Sequence, residues 1–425
     1  SSWAGGLFGY VDTRMFINMN EDGSRQTTQV ILKDVTVKAG TAVGGCIGYI
    51  NVKCYGIHNV TVKGTAMNDS SAANATDSQI AGGTQIVSTG VTTGDKAVNF
   101  YAGGIVGFAK GAYQSWTPDW NYNGGIINSS IENVTINIAE IANKHDYTVG
   151  RSDGIKSNYI AGGIVGQAAG GLTKIDGCTV TTSKIYGSVA SGIAGQTDSV
   201  MQFDNCKVVG VKDTNDKTIQ TEIKGFSTAG GILGFWTKQG ITIRNCKVQY
   251  LNIEGKDWGV GALVGDAENN KELGTLYVFN CSAQDSVVNA AGNDNDGGGR
   301  WPTAGGIIGN LRNAIKASNI LFSNIELQAS DGAKVNNHVT KRKQGFLFAS
   351  VAKTDTVISI AGISIQNIPD ENSNDKLAGN VSENTELSKT YIAFADYFGT
   401  AIPEVNKSDA ATDTEADTDT QVGDD

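Results

Sequence analysis

A short glycine-rich phrase recurs along the chain, and this recurrence restricts the possible fold more than any other feature. The phrase reads AGGIVGFA at 102–109: a small residue, two glycines, two aliphatic residues and a third glycine. Copies lie from about 30 to about 60 residues apart, and unequal spacing of a constant phrase is typical of stacked repeats with variable insertions. Nine copies are recognised, the last of them degenerate, at 4–11, 43–50, 102–109, 161–168, 190–197, 229–236, 259–267, 304–311 and 344–351.

A second phrase follows most copies and has the period of a β-strand. In ITIRNCKVQYLNIEG at 241–255 apolar and polar residues alternate, and Ile, Val and Thr are frequent. One such unit cannot bury its apolar face, whereas stacked units bury it against each other. We therefore predict an all-β fold, a right-handed parallel β-solenoid of about nine irregular rungs with loop insertions, with handedness taken from the rule for parallel crossovers.

A β-propeller is the alternative, because its blades also recur every 40 residues or so. The step from Ala161 to Ala190 is too short for a blade of four antiparallel strands, so the solenoid is favoured. The 55 glycines have no triplet period and only 4 prolines accompany them, which excludes collagen.

Charge and composition divide the chain into three predicted parts. Residues 1–370 carry the repeats and form the solenoid, 371–405 form a C-terminal capping segment, and 406–425 form an acidic, disordered linker or tail. Seven acidic residues and no basic ones lie in 409–425, so most of the net charge of −10 belongs to the tail. The sequence has no basic patch that would predict a nucleic-acid partner. It also has no apolar run of about 20 residues that would predict membrane insertion.

The pairing of GGIVG with x-N-C-x-V about ten residues later resembles the GLUG-motif repeat. That repeat occurs in bacterial secreted and surface proteins, among them adhesin-like proteins and the non-catalytic repeat regions of IgA-protease-type proteins. The resemblance covers most of 1–370 and implies a repeat region of a bacterial protein with an extracellular or cell-surface location. It carries over no active site. Asp34, Asn59 and Asn133 depart from the motif, because valine follows them where cysteine is expected.

Cysteine and asparagine hold constant places in several units, which predicts two structural ladders. The cysteines, as small buried hydrophobic residues, are expected to stack inside the solenoid, and the asparagines to satisfy the backbone of the turns. By sequence, Asn59 and Asn133 match the asparagine place. Cys46 and Cys54, eight residues apart, are candidates for a disulfide in an oxidising compartment. The ladder residues are Cys178, Cys206, Cys246, Cys281, Asn205, Asn245 and Asn280.

No constellation in the sequence predicts catalysis. The three histidines lie in unrelated contexts, and neither a zinc-protease His-Glu-x-x-His nor a G-x-S-x-G elbow is present. Candidate carboxylate pairs for a carbohydrate-cleaving solenoid are Asp294 with Asp296, and Asp153 with Asp176. We interpret them as solvated loop residues and predict no catalytic residues.

Two insertions are candidates for binding. Tyr113, Trp116, Trp120 and Tyr122 lie in one insertion, YQSWTPDWNYNGG, and suit sugar stacking or a protein contact, or else packing over the solenoid flank. A second insertion, GNDNDGGGRW at 292–301, offers Asp294 and Asp296 as calcium ligands, although it lacks the full calcium-loop spacing. No other cofactor is expected. Candidate glycosylation sites are Asn68, Asn74 and Asn128.

Three functions follow from these observations. The first is a non-enzymatic extracellular repeat region that acts as an adhesin or structural stalk and binds a host or neighbouring-cell glycan or protein. The second is a carbohydrate-binding or carbohydrate-cleaving β-helix protein. The third is a subunit of an extracellular filament that self-associates through its solenoid ends.

Overall fold

The structure is a computed structural model, and its described residues form strands and turns without a helix. Accordingly, no helix in this part of the chain is suited to cross a membrane. The described residues are 2–20, 24–52, 55–65, 83–90, 99–110, 125–137, 159–170, 173–256, 258–267, 273–291, 303–329, 343–345, 347–351, 358–366 and 378–381.

Short strands dominate these residues. In the first half of the chain they are β1 Trp3–Gly5, β2 Phe8–Val11, β3 Met15–Ile17, β4 Val30–Lys33, β5 Thr36–Ala39, β6 Ala42–Gly44, β7 Ile47–Ile50, β8 Tyr55–His58, β9 Val60–Lys63, β10 Thr84–Ser88, β11 Phe100–Gly103, β12 Val106–Lys110, β13 Gly125–Ile127, β14 Ser130–Glu132, β15 Val134–Ile136, β16 Tyr159–Gly162, β17 Val165–Ala169, β18 Thr173–Asp176, β19 Thr179–Thr181 and β20 Lys184–Ser191. In the second half they are β21 Ala194–Thr197, β22 Met201–Asp204, β23 Lys207–Val209, β24 Val211–Lys212, β25 Thr218–Ile219, β26 Thr221–Gly230, β27 Leu233–Trp236, β28 Gln239–Arg244, β29 Lys247–Gln249, β30 Leu251–Gly255, β31 Gly259–Gly261, β32 Val264–Ala267, β33 Leu273–Ala290, β34 Thr303–Gly305, β35 Ile308–Leu311, β36 Ile315–Ala329, β37 Lys343–Gly345, β38 Phe348–Val351, β39 Ile358–Gln366 and β40 Ala378–Val381.

The strands pair in parallel from one rung to the next, which confirms the predicted parallel β-solenoid. One sheet of 28 strands follows most of each rung, and a second sheet of ten strands runs β2-β7-β12-β17-β21-β27-β32-β35-β38-β40. Among the described strands, antiparallel pairing is limited to β24 with β25. A propeller is excluded, because its blades are antiparallel sheets.

The ten-stranded sheet contains one rung more than the nine phrase copies. Its last strand is β40, which pairs with β38 so that Ala378 lies beside Phe348. The sequence there, KLAGNV, has kept only one glycine of the phrase, which is why the pattern does not reveal it. β40 therefore continues the sheet into the segment 371–405.

The third glycine of the phrase lies where two backbones come too close for a side chain. A Cβ added to Gly166 would lie 2.4 Å from the carbonyl oxygen of Gly107 in the rung before it. A Cβ added to Gly195 would lie 2.5 Å from the carbonyl oxygen of Gly166. The backbone of the preceding rung thus leaves no room for a Cβ at this place, and because successive rungs stack in the same way, the glycine recurs from copy to copy.

Among the described side chains, the inward ones from Val11 to Ile365 form one continuous core. Ile47, Val106, Val165, Leu233 and Val264 stand in register in the ten-stranded sheet and are all fully buried. Burial of such a side chain contributes about 1.5–3 kcal/mol relative to exposure. Since each rung covers the next, the solenoid is stabilised by nearest-neighbour packing along its whole length.

Candidate ligand-binding site

The predicted asparagine ladder lies at a corner of the solenoid where the backbone is left-handed. Asn205, Asn245 and Asn280 have φ angles of 51°, 55° and 53°. Gly177 and Gly362 take the same place in other rungs with φ angles of 64° and 59°. Asparagine and glycine tolerate this conformation better than other residues, so the corner accounts for both.

Side chains of this ladder bond to the preceding rung. The amide of Asn205 donates to Asp176 Oδ1 at 3.2 Å, and the amide of Asn245 donates to Asp204 Oδ1 at 3.0 Å. Asn319 likewise donates to Asn280 Oδ1 at 2.8 Å. The ladder is therefore a chain of rung-to-rung hydrogen bonds with both asparagine and aspartate acceptors.

Asn133 lies at a different corner from the one that its sequence context indicates. Its backbone N–H donates to the carbonyl of Thr181, so that it stacks with Thr182. In that rung Asn128 lies at the corner that Asn205 occupies in its own rung. Asn128 has a φ of 48°, and its N–H donates to the carbonyl of Asp176. Both corners demand a left-handed residue followed by a short strand, so the local sequence looks alike at the two.

The four predicted ladder cysteines form an inward column. Cys178 and Cys206 are fully buried, Cys246 is 1% exposed and Cys281 is 2% exposed. The N–H of Lys207 donates to the carbonyl of Cys178, and the N–H of Lys247 to the carbonyl of Cys206, both at 2.9 Å.

Each of these thiols donates to the carbonyl two residues before it. The distance is 3.3 Å from Cys206 Sγ to Asp204 O and 3.1 Å from Cys281 Sγ to Phe279 O. Burial raises the pKa of Cys178 and of Cys246, so both remain protonated thiols at neutral pH. The column is consequently a packing element with weak hydrogen bonds.

Cys46, which directly precedes β7 of the ten-stranded sheet, is a free thiol that is fully buried in the core. Burial raises its pKa to about 12. Its predicted disulfide partner, Cys54, lies outside the described residues. The same is true of the aromatic insertion Tyr113, Trp116, Trp120 and Tyr122, of the calcium candidates Asp294 and Asp296, of Asp153, and of the sequons Asn68 and Asn74. Asn128 is exposed, and its amide nitrogen lies 3.4 Å from His58 Nε2.

Asp176 stands beside Asp204 in the next rung, and both carboxylates are held by cationic and amide groups. Lys174 Nζ lies 3.4 Å from Asp176 Oδ2, and Arg244 Nη2 lies 2.6 Å from Asp204 Oδ2. These contacts link Asp176 and Asp204 to side chains of their own and the neighbouring rung and so stabilise rung stacking.

Asp266 is fully buried on the outer side of the ten-stranded sheet and is similarly satisfied. Its Oδ2 accepts from Gly259 N at 3.1 Å and from Asn310 Nδ2 at 2.9 Å. Its Oδ1 accepts from Ala267 N at 2.7 Å and from Arg312 Nε at 3.4 Å. Among the described residues, no group of three His, Cys, Asp or Glu side chains is placed to hold a metal ion.

A stack of aromatic rings lies on the outside of the first three rungs, and we call it the aromatic stack. Tyr10 and Tyr49 are in register on β2 and β7, with ring centroids 5.4 Å apart and 22° between their planes. Phe108 on β12 continues the column at 5.0 Å from Tyr49. Trp3 lies 4.9 Å from Tyr10, and Tyr101 lies 4.5 Å from Phe108.

Exposure decreases along the aromatic stack. Trp3 is 39% exposed and Tyr10 is 41% exposed, whereas Phe108 is 8% exposed. Burial, and then the neighbouring Tyr10, raise the pKa of Tyr49. Tyr49 is therefore a neutral phenol at neutral pH, and its ring is held between those of Tyr10 and Phe108.

Polar side chains border both ends of the stack. Asn51 Nδ2 donates to Tyr10 Oη at 3.0 Å and to Asp12 Oδ1 at 3.1 Å. At the other end, Gln167 is in register with Phe108, is 6% exposed, and has no hydrogen-bond partner for its Oε1. The insertion that contains the predicted aromatic loop starts after Lys110, two residues beyond Phe108 on the same strand.

Sequence reasoning did not find the aromatic stack, although a signal was present. The residue after the third glycine is Tyr10, Tyr49 and Phe108 in the first three copies of the phrase. That place is in register in successive rungs, so consecutive aromatic residues there must stack on one another.

Comparisons with known proteins give little further information. No family model matches the sequence, and no curated protein matches it. A crystal structure from Bacteroides ovatus, described as a "putative immunoglobulin A1 protease", matches 80% of this chain and 80% of its own, with 14% sequence identity and a TM-score of 0.29. At this TM-score the likeness carries no argument about fold or function.

Proposed function

We propose that the chain is a non-catalytic, adhesive repeat segment of a bacterial secreted or surface protein, and that the aromatic stack is its contact surface. The observation that carries the proposal is the column in which Tyr10, Tyr49 and Phe108 stack in register over three successive rungs. Soluble proteins seldom leave large aromatic groups clustered on the surface without a binding role.

The scaffold supports this role because it is stiff. Ten rungs at about 4.8 Å each give a body on the order of 45–50 Å long. Its strands are joined in register and its core is continuous, so an external side chain keeps its position relative to those in the next rung. A rigid platform lowers the entropy lost on binding.

The surroundings of the described carboxylates favour binding over catalysis. Asp176, Asp204 and Asp266 each bond to an amide and lie beside a cationic side chain. Because the oxygens of these carboxylates are already engaged by protein groups, they suit structural roles.

The test is adhesion with a matched aromatic control. The chain is applied to mucus-coated and epithelial-cell surfaces, and retention is compared with that of Trp3→Ala/Tyr10→Ala. The control is Tyr277→Ala/Phe279→Ala, a partly exposed ring pair 6.1 Å apart on a different face. We expect the first variant to lose retention at least tenfold and the control to keep it. Equal retention of all three proteins would refute the proposal.

Self-association through the solenoid ends, and with it the filament, stays a prediction. Sedimentation velocity over a hundredfold concentration range measures it directly: a constant sedimentation coefficient would speak against assembly.

A further inference from the structure

We infer that Arg312 anchors a second binding site on the outer side of the ten-stranded sheet, and that this site binds the carboxylate of an acidic saccharide. The site lies on the rungs of β32 and β35, which the aromatic stack does not reach. The inference goes beyond the proposed function, and its test uses none of the residues of the aromatic stack.

The guanidinium of Arg312 is held by two neighbours. Its Nε lies 3.4 Å from Oδ1 of Asp266, which is fully buried in the preceding rung. Its Cζ lies 5.6 Å from the ring centroid of Trp258. Because a buried carboxylate without a counter-charge is costly, the pair with Asp266 keeps Arg312 in place. The guanidinium is therefore preorganised before a ligand arrives.

Most of this guanidinium is left for an outside acceptor. Within the described part of the chain, the hydrogen bond from Nε to Asp266 is the only one that Arg312 makes, and 16% of its side chain is exposed. The N–H groups of Nη1 and Nη2 form a planar fork that matches the two oxygens of a carboxylate. The charge of Asp266 is shared among further donors, Gly259 N, Ala267 N and Asn310 Nδ2, which lowers its repulsion of a second carboxylate.

A hydroxyl group without a partner lies next to Trp258. The N–H of Thr303 donates to the carbonyl of Trp258 at 3.3 Å, so the two residues are neighbours in successive rungs. Thr303 is 2% exposed, and its Oγ1 has no hydrogen-bond partner among the described residues. A buried hydroxyl in this state is unfavourable, and a ligand that supplies a partner gains the missing hydrogen bond.

This combination favours a sugar acid over other carboxylates. A uronic or sialic acid carries hydroxyls close to its carboxylate, and a hydroxyl both donates and accepts, as the Thr303 side chain requires. The half-exposed indole of Trp258 adds an apolar surface for the C–H groups of a sugar ring. A peptide C-terminus has the carboxylate without the hydroxyls.

The experiment compares acidic oligosaccharides with their own methyl esters by calorimetric titration. One arm uses a uronic-acid oligosaccharide and the other a sialylated one, because the two differ in the source of the same carboxylate. A sulfated oligosaccharide and a peptide with a free C-terminus are titrated in parallel. We expect binding in at least one of the two arms and none of the matching ester, since esterification removes the charge that Arg312 recognises.

Two variants of the site keep the fold and change the binding groups. Arg312→Lys keeps a positive charge beside Asp266 and removes the fork, so the affinity should fall about fivefold or more. Thr303→Val keeps the shape and removes the hydroxyl, so the affinity should fall about threefold. Thermal stability should not decrease in Thr303→Val, because the hydroxyl has no partner to lose.

Arg244→Lys is the matched control. Arg244 also pairs with an aspartate of the preceding rung, with Nη2 2.6 Å from Asp204 Oδ2, and it lies in the other sheet. Its replacement should leave the affinity for the acidic saccharide unchanged, and thermal unfolding reports whether each variant is folded.

Four results would overturn the inference. Equal binding of the acid and its ester, or of the parent and Arg312→Lys, would exclude Arg312 as the anchor. Binding restricted to the sulfated oligosaccharide or to the peptide would overturn the saccharide carboxylate as the ligand. No binding in either acidic arm would do the same. The adhesion test of Trp3→Ala/Tyr10→Ala reports on the proposed function alone, because neither residue belongs to this site.

Discussion

Tyr49 lies directly below Tyr10, 5.4 Å away between ring centroids, because the two residues occupy the same outward place in successive rungs. Tyr49 also contacts Trp3 at 5.5 Å and Phe108 at 5.0 Å. It is the ring that joins the exposed and the buried parts of the aromatic stack. Its loss should therefore affect both stability and the positions of the rings above it.

We predict that Tyr49→Ala lowers the free energy of unfolding by about 2 kcal/mol, since it removes three ring contacts and half-buried apolar area. Tyr49→Phe should change it by less than about 0.5 kcal/mol, because the ring remains. A double-mutant cycle of Tyr10→Ala with Tyr49→Ala should give a coupling of about 0.5–1.5 kcal/mol by urea denaturation. A coupling of zero would show that the rings are neighbours without interaction.

The left-handed backbone at Asn245, whose φ is 55°, predicts which of two substitutions leaves the protein more stable. Both Asn245→Gly and Asn245→Ala remove the hydrogen bond to Asp204 Oδ1. Only alanine places an unfavourable Cβ in the left-handed region, so it should be less stable than glycine by about 1 kcal/mol. Chemical denaturation measures the difference, and an alanine variant as stable as the glycine variant would contradict the corner geometry.

Because some glycines lie against a neighbouring backbone and others do not, we predict that replacement by alanine destabilises the protein strongly at some glycines and hardly at others. Gly195→Ala would place a Cβ 2.5 Å from the carbonyl oxygen of Gly166 and 2.8 Å from that of Ala161. We expect a loss of about 3 kcal/mol or more, because only backbone movement relieves the clash. Gly240→Ala is the control: its Cβ would meet no atom closer than the carbonyl oxygen of Thr275 at 3.5 Å. That variant should unfold within about 0.5 kcal/mol of the parent, or be slightly more stable.

The buried thiols predict a loss of stability at alkaline pH. Burial raises the pKa of Cys46 to about 12 from an ordinary 9.0, so the folded state keeps the proton that the unfolded chain releases. The contribution is complete below pH 9 and is lost as the pH rises towards 12, at up to about 1.4 kcal/mol per pH unit for this thiol.

Cys46→Val is the matched variant, because Ile105 takes the same place in the next rung. It should unfold like the parent at pH 7 and show a shallower decline above pH 9. At pH 8 the native thiols should resist a disulfide reagent and react once urea unfolds the chain. Rapid reaction of Cys46 in the native protein would disprove its burial.

Part of this architecture could be predicted from local pattern alone. The constant phrase around Gly166 and Gly195 and the alternating residues after it required stacked parallel strands, because neither segment can bury its apolar face alone. The inward cysteines from Cys178 to Cys281 followed from the same period. These inferences use only residues that are close together in the sequence, and such residues occupy equivalent places in successive rungs.

Other features depended on which corner a residue occupies, and local pattern does not contain that information. Asn133 and Asn59 precede similar strands, yet they lie at different corners. The N–H of Asn59 donates to the carbonyl of Ile127, beside Asn128, whereas the N–H of Asn133 donates to Thr181. Each rung has more than one left-handed turn, so a similar local sequence fits either corner. The degenerate strand β40 shows the same limit, since pairing with β38 defines it more than its own residues do.

The sequence by itself determined that glycine-rich strands stack in parallel around a continuous apolar core. The aligned copies of the phrase also indicate which residues of successive rungs lie side by side, because the side-chain period and the recurrence are properties of the sequence. The tertiary structure alone decided how the strands within a rung turn against each other. Only those turns bring Trp3 against Tyr10 and Tyr49 and place Asn128, not Asn133, at the corner of Asn205. The physical reason is that a corner forms between strands whose hydrogen-bond partners lie in the neighbouring rungs, and no single segment of the sequence contains those partners.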